Sequence, residues 1–183
     1  RNTQNRVVSF LTNELGYEYF GNWEDDAPHQ NVEKGRLRDW LSGRGVSKPL
    51  INRALHKLDE ARRVGGSRTL YKANKEVYEL LRYGVKVKES PGAKTETVKL
   101  IDWENWRAND FGVAEEVPVS GTNDKRPDVV LYVNGIAVGV LELKRSKVAV
   151  SEGIRQNLDN QKSEFIPEFF STMQLVMAGN DTQ

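Results

Sequence analysis

The spacing of hydrophobic residues changes character once along the chain, near Gly84, and that change separates the predicted elements. Before it the period is helical. Val7, Val8, Leu11 and Leu15 predict a helix over 3–15, which Gly16 stops. Residues 17–28 are aromatic and then acidic, carry no clear period, and are expected to be irregular. A short helix is predicted over 36–41. A longer one over 48–62 starts from Ser47, with Pro49 in its first turn and Ile51, Ala54, Leu55 and Leu58 as its apolar stripe. Gly65-Gly66 breaks it, and 70–83 reads as a further helix burying Val77, Leu80 and Leu81.

After Gly84 the period becomes two. Residues 85–88 and 95–101 flank Ser90-Pro91-Gly92 and predict a hairpin, and 114–119 predicts another strand. The clearest unit is a strand over 127–133 and a strand over 136–144, joined by Asn134-Gly135, a strong short-range hairpin signal. A helix over 151–164, anchored by Ile154 and Leu158, and a strand over 172–178 complete the pattern. The fold class is therefore α/β: a mixed β-sheet flanked by helices, with residues 24–83 as a largely helical, basic insertion between the first helix and the sheet. The whole of 1–183 is expected to form one domain. Trp103 and Trp106 are expected to pack across the sheet.

Composition narrows the chemistry. Of 183 residues, 38% are hydrophobic and 29% charged, which suits a soluble folded domain rather than a disordered or membrane-embedded chain. Apolar runs such as 136–141 are far too short to span a bilayer, and no signal peptide opens the sequence. There are no cysteines and two histidines, so thiol nucleophiles, zinc-thiolate sites and poly-histidine metal sites are excluded. Any metal chemistry must use carboxylates. Absence of cysteine also fits a reducing, cytoplasmic setting. The first residue, Arg1, is not a methionine, and the last five are Gly179-Asn180-Asp181-Thr182-Gln183; the expectation is a piece of a larger protein.

The formal net charge is +1, from 27 basic and 26 acidic residues. Resolved by position it is far from uniform. Residues 34–75 hold twelve Lys or Arg against three Asp or Glu, a local +9 that leaves −8 elsewhere. Such a patch could neutralise phosphates, and Arg53 and Lys57, one helical turn apart, are its candidate DNA contacts. The same charges would also suit an ordinary solvated helical face.

Three charged residues on the apolar hairpin need an explanation: Asp128 near the start of one strand, and Glu142 and Lys144 at the end of the next. Burying them is costly unless they pair or coordinate an ion. Two carboxylates gathered by a hairpin are a natural divalent-metal site, and Mg²⁺ prefers a few carboxylates with retained waters and substrate phosphate. Such an ion lowers the pKa of bound water and offsets charge on a scissile phosphate, while Lys144 would orient the nucleophile. An Asp at a strand mouth beside a Glu–Lys salt bridge would leave the same trace. Geometry adds a condition. With strict pairing from an ideal two-residue turn, Leu141 faces Asp128 and Glu142 projects from the other side. Convergence requires a bulge, expected between Arg126 and Asp128 or near Leu141.

Pro127-Asp128 followed by Glu142-Leu143-Lys144 resembles the PD-(D/E)xK nuclease signature. Asn109-Asp110-Phe111, Arg126-Pro127-Asp128, the Asn134-Gly135 turn and Glu142-Leu143-Lys144-Arg145 together resemble the N-terminal endonuclease domain of the HsdR subunit of type I restriction-modification enzymes. The likeness continues through Thr3-Gln4-Asn5-Arg6, Leu15-Gly16-Tyr17, the segment from Gly153 to Gln161, Phe169-Phe170-Ser171-Thr172 and Ala178-Gly179-Asn180-Asp181, and covers nearly the whole chain. The resemblance implies a restriction-endonuclease-like fold and Mg²⁺-dependent hydrolysis of double-stranded DNA. Asp128 and Glu142 would bind the metal and Lys144 would be the catalytic lysine. It also implies an ATP-driven translocase in the same polypeptide, working with methylation and specificity subunits. This chain has no Walker A sequence and is not expected to hydrolyse ATP or read a DNA sequence itself.

Related nucleases often carry a glutamine, and a tyrosine four residues later, on the helix after the catalytic lysine. Gln156 stands at the first position and Asn160 at the second, on one helix face, so a polar contact with DNA or Lys144 stays open to them while aromatic stacking is lost; an ordinary solvated helix face would suit the same pair. Arg145 and Lys147 could meet phosphate beside the catalytic strand. Gln4 falls where the first helix of the wider family often has a glutamate; neither it nor Glu14 is expected to bind metal, and Glu116 is a weaker candidate for an acidic cleft. The competing account is a non-catalytic DNA-binding or motor-coupling module that keeps the nuclease fold. A third is a purely structural interaction domain.

Overall fold

A computed structural model describes residues 2–180 of the chain, so Asp181 of the last family-like segment lies outside the described residues. In chain order the elements are α1 (Asn2–Asn13), β1 (Glu18–Asn22), α2 (Lys34–Gly43), α3 (Lys48–Arg62), α4 (Leu70–Tyr83), β2 (Val85–Lys88), β3 (Thr95–Val98), β4 (Phe111–Glu115), β5 (Val129–Val133), β6 (Ile136–Leu143), α5 (Val150–Asn160) and β7 (Leu175–Gly179). The main sheet runs β1-β4-β5-β6-β7, while β2 and β3 form a separate antiparallel ribbon. The outer pairs β1–β4 and β6–β7 are parallel and the inner pairs antiparallel. This is the mixed α/β fold, with flanking helices and a helical insertion, that the hydrophobic pattern predicts. Among the described residues no helix is long and apolar enough to cross a membrane.

Alternation along the strands sorts the core into layers. Val129, Leu141 and Leu143 pack with Val8 and Leu11 of α1 on one face. Val130, Tyr132 and Val140 pack with Ile166, Phe169 and Phe170 on the other. Ile136, beyond the hairpin turn, joins a third cluster with α2, α3, α4 and the β2–β3 ribbon. The helix limits follow local chemistry. The Thr69 hydroxyl caps α4 by accepting from Lys72 N, and Gly84 ends it at φ 79. Ser47 begins α3 as predicted, but its hydroxyl makes no cap bond.

Several expectations need correction. The stretch taken as irregular contains β1, an edge strand largely open to solvent, so EYFGN lacks the alternation that marks a half-buried strand. Its Phe20 ring fills the space over Gly112, where an added Cβ would lie 2.0 Å from Phe20 Cζ. The strand expected over 114–119 begins earlier, at Phe111. Trp103 and Trp106 are half exposed and border the sheet rather than span it: Trp106 meets Phe111 of β4 edge to face, and Trp103 Nε1 donates to Leu81 O. Ile154 and Leu158 do not anchor α5 either. They face solvent, and the helix buries Gly153, Asn157 and Asn160 instead. Asn157 Nδ2 donates to Met177 O, and Gly153 lets the helix lie against β7, since a Cβ there would sit 3.1 Å from Ala178 Cβ.

The hairpin register decides where the charged residues go. Asn134 and Gly135 adopt φ 52 and φ 81, as a two-residue turn between right-twisted strands requires. Val133 faces Ile136 and Tyr132 faces Ala137, but Leu131 then faces Gly139, leaving Val138 as an extra residue on β6. The bulge is therefore in mid-strand, not at either place expected for it. Its carbonyl accepts from Gln174 N just before β7, so the unpaired group is satisfied. Beyond it Val130 faces Val140 and Val129 faces Leu141. One step further, Asp128 stands opposite Glu142 on the face shared with Val130 and Val140.

Deleting Val138 should remove this offset and turn residues 139–143 to the opposite face, carrying Glu142 toward α1 and Leu141 and Leu143 away from it. The expected result is loss of cooperative unfolding in urea, or a stability loss above roughly 3 kcal/mol, from misplaced apolar groups and an unpaired buried charge.

Candidate active site

Asp128 enters β5 after Pro127, which has no N–H to offer the sheet. Its backbone is fixed from two sides: Asp128 O accepts from Glu116 N at 2.9 Å and from Gln4 Nε2 at 3.3 Å. Its carboxylate reaches across the hairpin, where Oδ2 accepts from Leu143 N at 2.6 Å. That bond ties the acid to the end of β6.

Glu142 lies opposite and is 2% exposed. Oε1 accepts from Lys144 Nζ at 2.8 Å, whereas Oε2 is buried and has no hydrogen-bond partner. Burial, reinforced by the Asp128 charge and opposed by Lys144, pushes the Glu142 carboxyl up to about 7. Lys144 follows two residues later on the same face and is itself partly buried. Its ammonium also donates to Gln156 Oε1 on α5 at 2.5 Å. The lysine is thus clamped between a strand acid and a helix amide.

Asp128, Glu142, Lys144 and Gln156 therefore converge. Asn160, four residues after Gln156, is buried within the α5 packing. Arg145 and Lys147 are exposed in the segment joining β6 to α5. Arg53 and Lys57 do not join the group; they lie on exposed positions of α3, which packs at the turn end of the hairpin. Glu14 is exposed beyond the end of α1.

Sequence reasoning missed a bracket around Asp128. Gln4 is buried and its amide donates to Glu116 Oε1 as well as to Asp128 O. Arg126 pairs with Glu116 Oε2 at 2.9 Å and Glu24 Oε1 at 2.7 Å. Glu116 adopts φ 51, a left-handed conformation uncommon outside glycine, directly opposite Asp128. The sequence marks Gln4 by its place in the first helix and Glu116 as a weaker acidic candidate, but carries no sign that the two meet at Asp128.

Among the described residues no group of three or more His, Cys, Asp or Glu is arranged to hold a metal ion. The pair Asp128 and Glu142 supplies hard oxygen donors, and the unpartnered Oε2 fits a cation completed by water or substrate oxygens.

Comparison with known proteins gives a consistent result. Residues 1–183 match the family model "Type I restriction enzyme R protein N terminus". A protein of Methanocaldococcus jannaschii bearing the name of a type I restriction enzyme MjaIXP endonuclease subunit is 34% identical over 109 residues, 56% of this chain and 10% of that protein. The type I restriction enzyme HindI endonuclease subunit of Haemophilus influenzae is 39% identical over 75 residues, 39% of this chain and 7% of its own. The EcoprrI endonuclease subunit of Escherichia coli is 31% identical over 91 residues, covering 49% and 29%. The chain spans about a tenth of the length of the first of these relatives.

A pH dependence follows from Glu142. The folded protein holds its proton up to about pH 7, whereas an unfolded chain releases it near the ordinary carboxylate value. The stabilisation is fully present below the unfolded value and is lost as pH rises through about 7. In metal-free buffer Glu142→Gln should therefore be more stable than wild type at pH 8, by on the order of 1–3 kcal/mol, with the gap closing toward pH 5. Thermal denaturation across that range checks it; a gap that does not vary with pH would contradict the assignment.

Proposed function

Because the chain belongs to the family of type I restriction enzyme R protein N termini, we propose that it is a Mg²⁺-dependent DNA endonuclease domain of the PD-(D/E)xK class centred on Asp128, Glu142 and Lys144. The observation that carries the reading is the opposition of Asp128 and Glu142 across the bulged hairpin, with Glu142 Oε2 buried and unpartnered beside Lys144. An isolated salt bridge gives no reason for a second carboxylate on the same face or for an oxygen left without a donor. A divalent cation site gives a reason for both.

Asp128 and Glu142 would hold the cation through carboxylate oxygens. With only these two acids, water and a phosphate oxygen of the substrate would complete its shell, which suits Mg²⁺ better than an ion needing an all-protein cage. The bound metal would supply a water of lowered pKa and charge stabilisation at the scissile phosphate. Lys144, clamped by Glu142 Oε1 and Gln156 Oε1, presents its ammonium in a fixed direction. It would orient the attacking water and stabilise negative charge as the phosphodiester bond opens. Leu143 N on Asp128 Oδ2 and Gln4 on Asp128 O hold that acid in place. Arg145 and Lys147, exposed next to the centre, would meet neighbouring phosphates of double-stranded DNA.

The relatives are much longer than this chain. The domain would therefore work in the cytoplasm as the cutting part of a larger polypeptide. An ATP-driven motor would bring DNA to it, and methylation and specificity subunits would choose the site.

Cleavage of supercoiled plasmid with Mg²⁺ tests the reading, by the 183-residue chain and by the same residues within the complete subunit and its partner subunits. Asp128→Ala, Glu142→Ala and Lys144→Ala should each lower cleavage by roughly 10²–10³-fold or more. Mg²⁺ should raise the melting temperature of the wild type but not of Asp128→Ala or Glu142→Ala. Undiminished cleavage by Asp128→Ala and Lys144→Ala would remove the catalytic assignment and leave a DNA-binding or motor-coupling module.

A further inference from the structure

The +9 charge of residues 34–75 is not one undivided patch. Five of its cations are paired internally: Lys34 with Asp59, Arg36 with Glu18, Arg44 with Asp102, Arg62 with Asp59 and Glu168, and Arg68 with Glu76. These hold the insertion together and tie it to the rest of the fold. Of the other seven, Arg38, Arg63, Lys72 and Lys75 lie apart, whereas Lys48, Arg53 and Lys57 come together. They line a cleft of about 920 Å³ between α3 and β2, together with Lys86 and Lys88. Among the described residues none of these five is paired with a carboxylate. Lys57 Nζ instead donates to Lys86 O at 2.7 Å, joining the two walls.

The geometry of the walls repeats the charge. Arg53 and Lys57 are four apart on α3 and share a face. Lys86 and Lys88 alternate with the buried Val85 and Val87, so both ammonium groups stand on the outer face of β2. Across the ribbon they face Thr97 and Thr95, which offer hydroxyls and no opposing charge. The N-terminus of α3, a fifteen-residue helix, opens on the same cleft at Lys48 and Pro49 and adds its positive end. Glu60 is the carboxylate on the lining, at the end away from Lys48, and lies 3.5 Å from His56.

We propose that the cleft between α3 and β2 is a second DNA-contacting site, which binds the phosphodiester backbone of duplex DNA without regard to sequence. It rests on the reading of the substrate as DNA but uses none of the residues of the catalytic centre. The elements that form it pack around Ile136 at the turn end of the hairpin. Glu142 is six residues further along β6, about 20 Å at strand rise. The cleft would therefore hold DNA away from the phosphate being cut. Walls that carry five cations against the one carboxylate of Glu60, with no exposed large hydrophobic side chain among their described residues, favour a polyanion over a protein partner, whose interfaces are poor in lysine and built on buried apolar hot spots. Phosphate contacts of this kind give affinity and position rather than sequence choice.

Fluorescence anisotropy of a labelled duplex of about 30 base pairs, in EDTA so that cutting is absent, tests the proposal on the 183-residue chain. The Arg53→Ala/Lys86→Ala/Lys88→Ala variant should bind at least roughly tenfold more weakly at ~0.1 M salt, and its dependence of log Kd on log salt should fall by about 2–3. The charge-conserving Arg53→Lys/Lys86→Arg/Lys88→Arg variant should bind as wild type does, which separates charge loss from misfolding. Cleavage with Mg²⁺ reads the catalytic centre and binding in EDTA reads the cleft, so failure of the catalytic reading would appear in the first and failure of this one in the second. Wild-type affinity and salt slope in the alanine variant would overturn the proposal. So would a wild-type chain that binds poly-glutamate through these residues but not DNA.

Discussion

A carboxylate removed from water on an apolar sheet face is the constraint around which this end of the structure is arranged. Glu142 shares its face with Val130 and Val140, and its exposure is 2%. In such surroundings a charge must be compensated or surrendered, and the rise of its carboxyl to about 7 records how incompletely the protein alone compensates it. Lys144 supplies one ion pair, and Gln156 directs that lysine. The helix that brings Gln156 must approach closely, so Gly153 lies where a side chain would press on Ala178 and touch Lys144 and Glu142. The inward face of α5 is then polar, with Asn157 donating to β7 and the aliphatic Ile154 and Leu158 left outside. The helix thus turns its polar side inward and its aliphatic side out.

That inversion also explains which features could be read from the amino-acid sequence. Apolar stripes on α3 and α4 and the period-two strands β5 and β6 bury what their spacing says, because ordinary hydrophobic packing governs them. The Asn134-Gly135 turn is dictated locally by two residues that tolerate positive φ. α5 fails the same logic, since a Gly-and-Asn face was selected for contact with strand edges and charged groups rather than for apolar burial. β1 fails it because Phe20 is the one large residue of this edge strand that packs inward and the register shifts between Tyr19 and Gly21, which leaves no alternation. The candidate residues Asp128, Glu142 and Lys144 stood out as charges on an apolar hairpin. Their relative placement did not, because it depends on where a single extra residue is accommodated.

The bulge at Val138 is the link between those two levels. A two-residue turn alone would have put Leu141 opposite Asp128, and the sequence condition was simply that some irregularity must intervene. Its position reflects packing on either side. Gly139, without a side chain, accepts Leu131 closely, with an added Cβ at 3.3 Å from Leu131 Cβ. Val138, displaced from the ladder, packs toward the insertion helices and gives its carbonyl to Gln174. The offset is thus supported by the insertion on one flank and by the entry to β7 on the other. Neither support is local in sequence, which is why the need for a bulge was legible and its site was not.

Charge is divided by the same principle of partnership. A basic run counted in sequence treats every lysine and arginine alike, but in the fold some are spent in pairs: Arg62 is buried and bonded to Asp59, Asn31, Gln30 and Glu168, a structural tie between the insertion and the segment before β7. Three of the cations without such partners, Lys48, Arg53 and Lys57, line one cleft, where Lys86 and Lys88 from outside the counted run join them. Mutual repulsion there is a standing cost that internal packing does not offset, just as the unpartnered Glu142 oxygen is a cost at the other end of the hairpin. The two costs have opposite sign of charge and lie at opposite ends of one strand pair. On the proposed function a polyanion would relieve the first and a cation the second, and a single ligand class, a nucleic acid with its divalent counterion, would supply both.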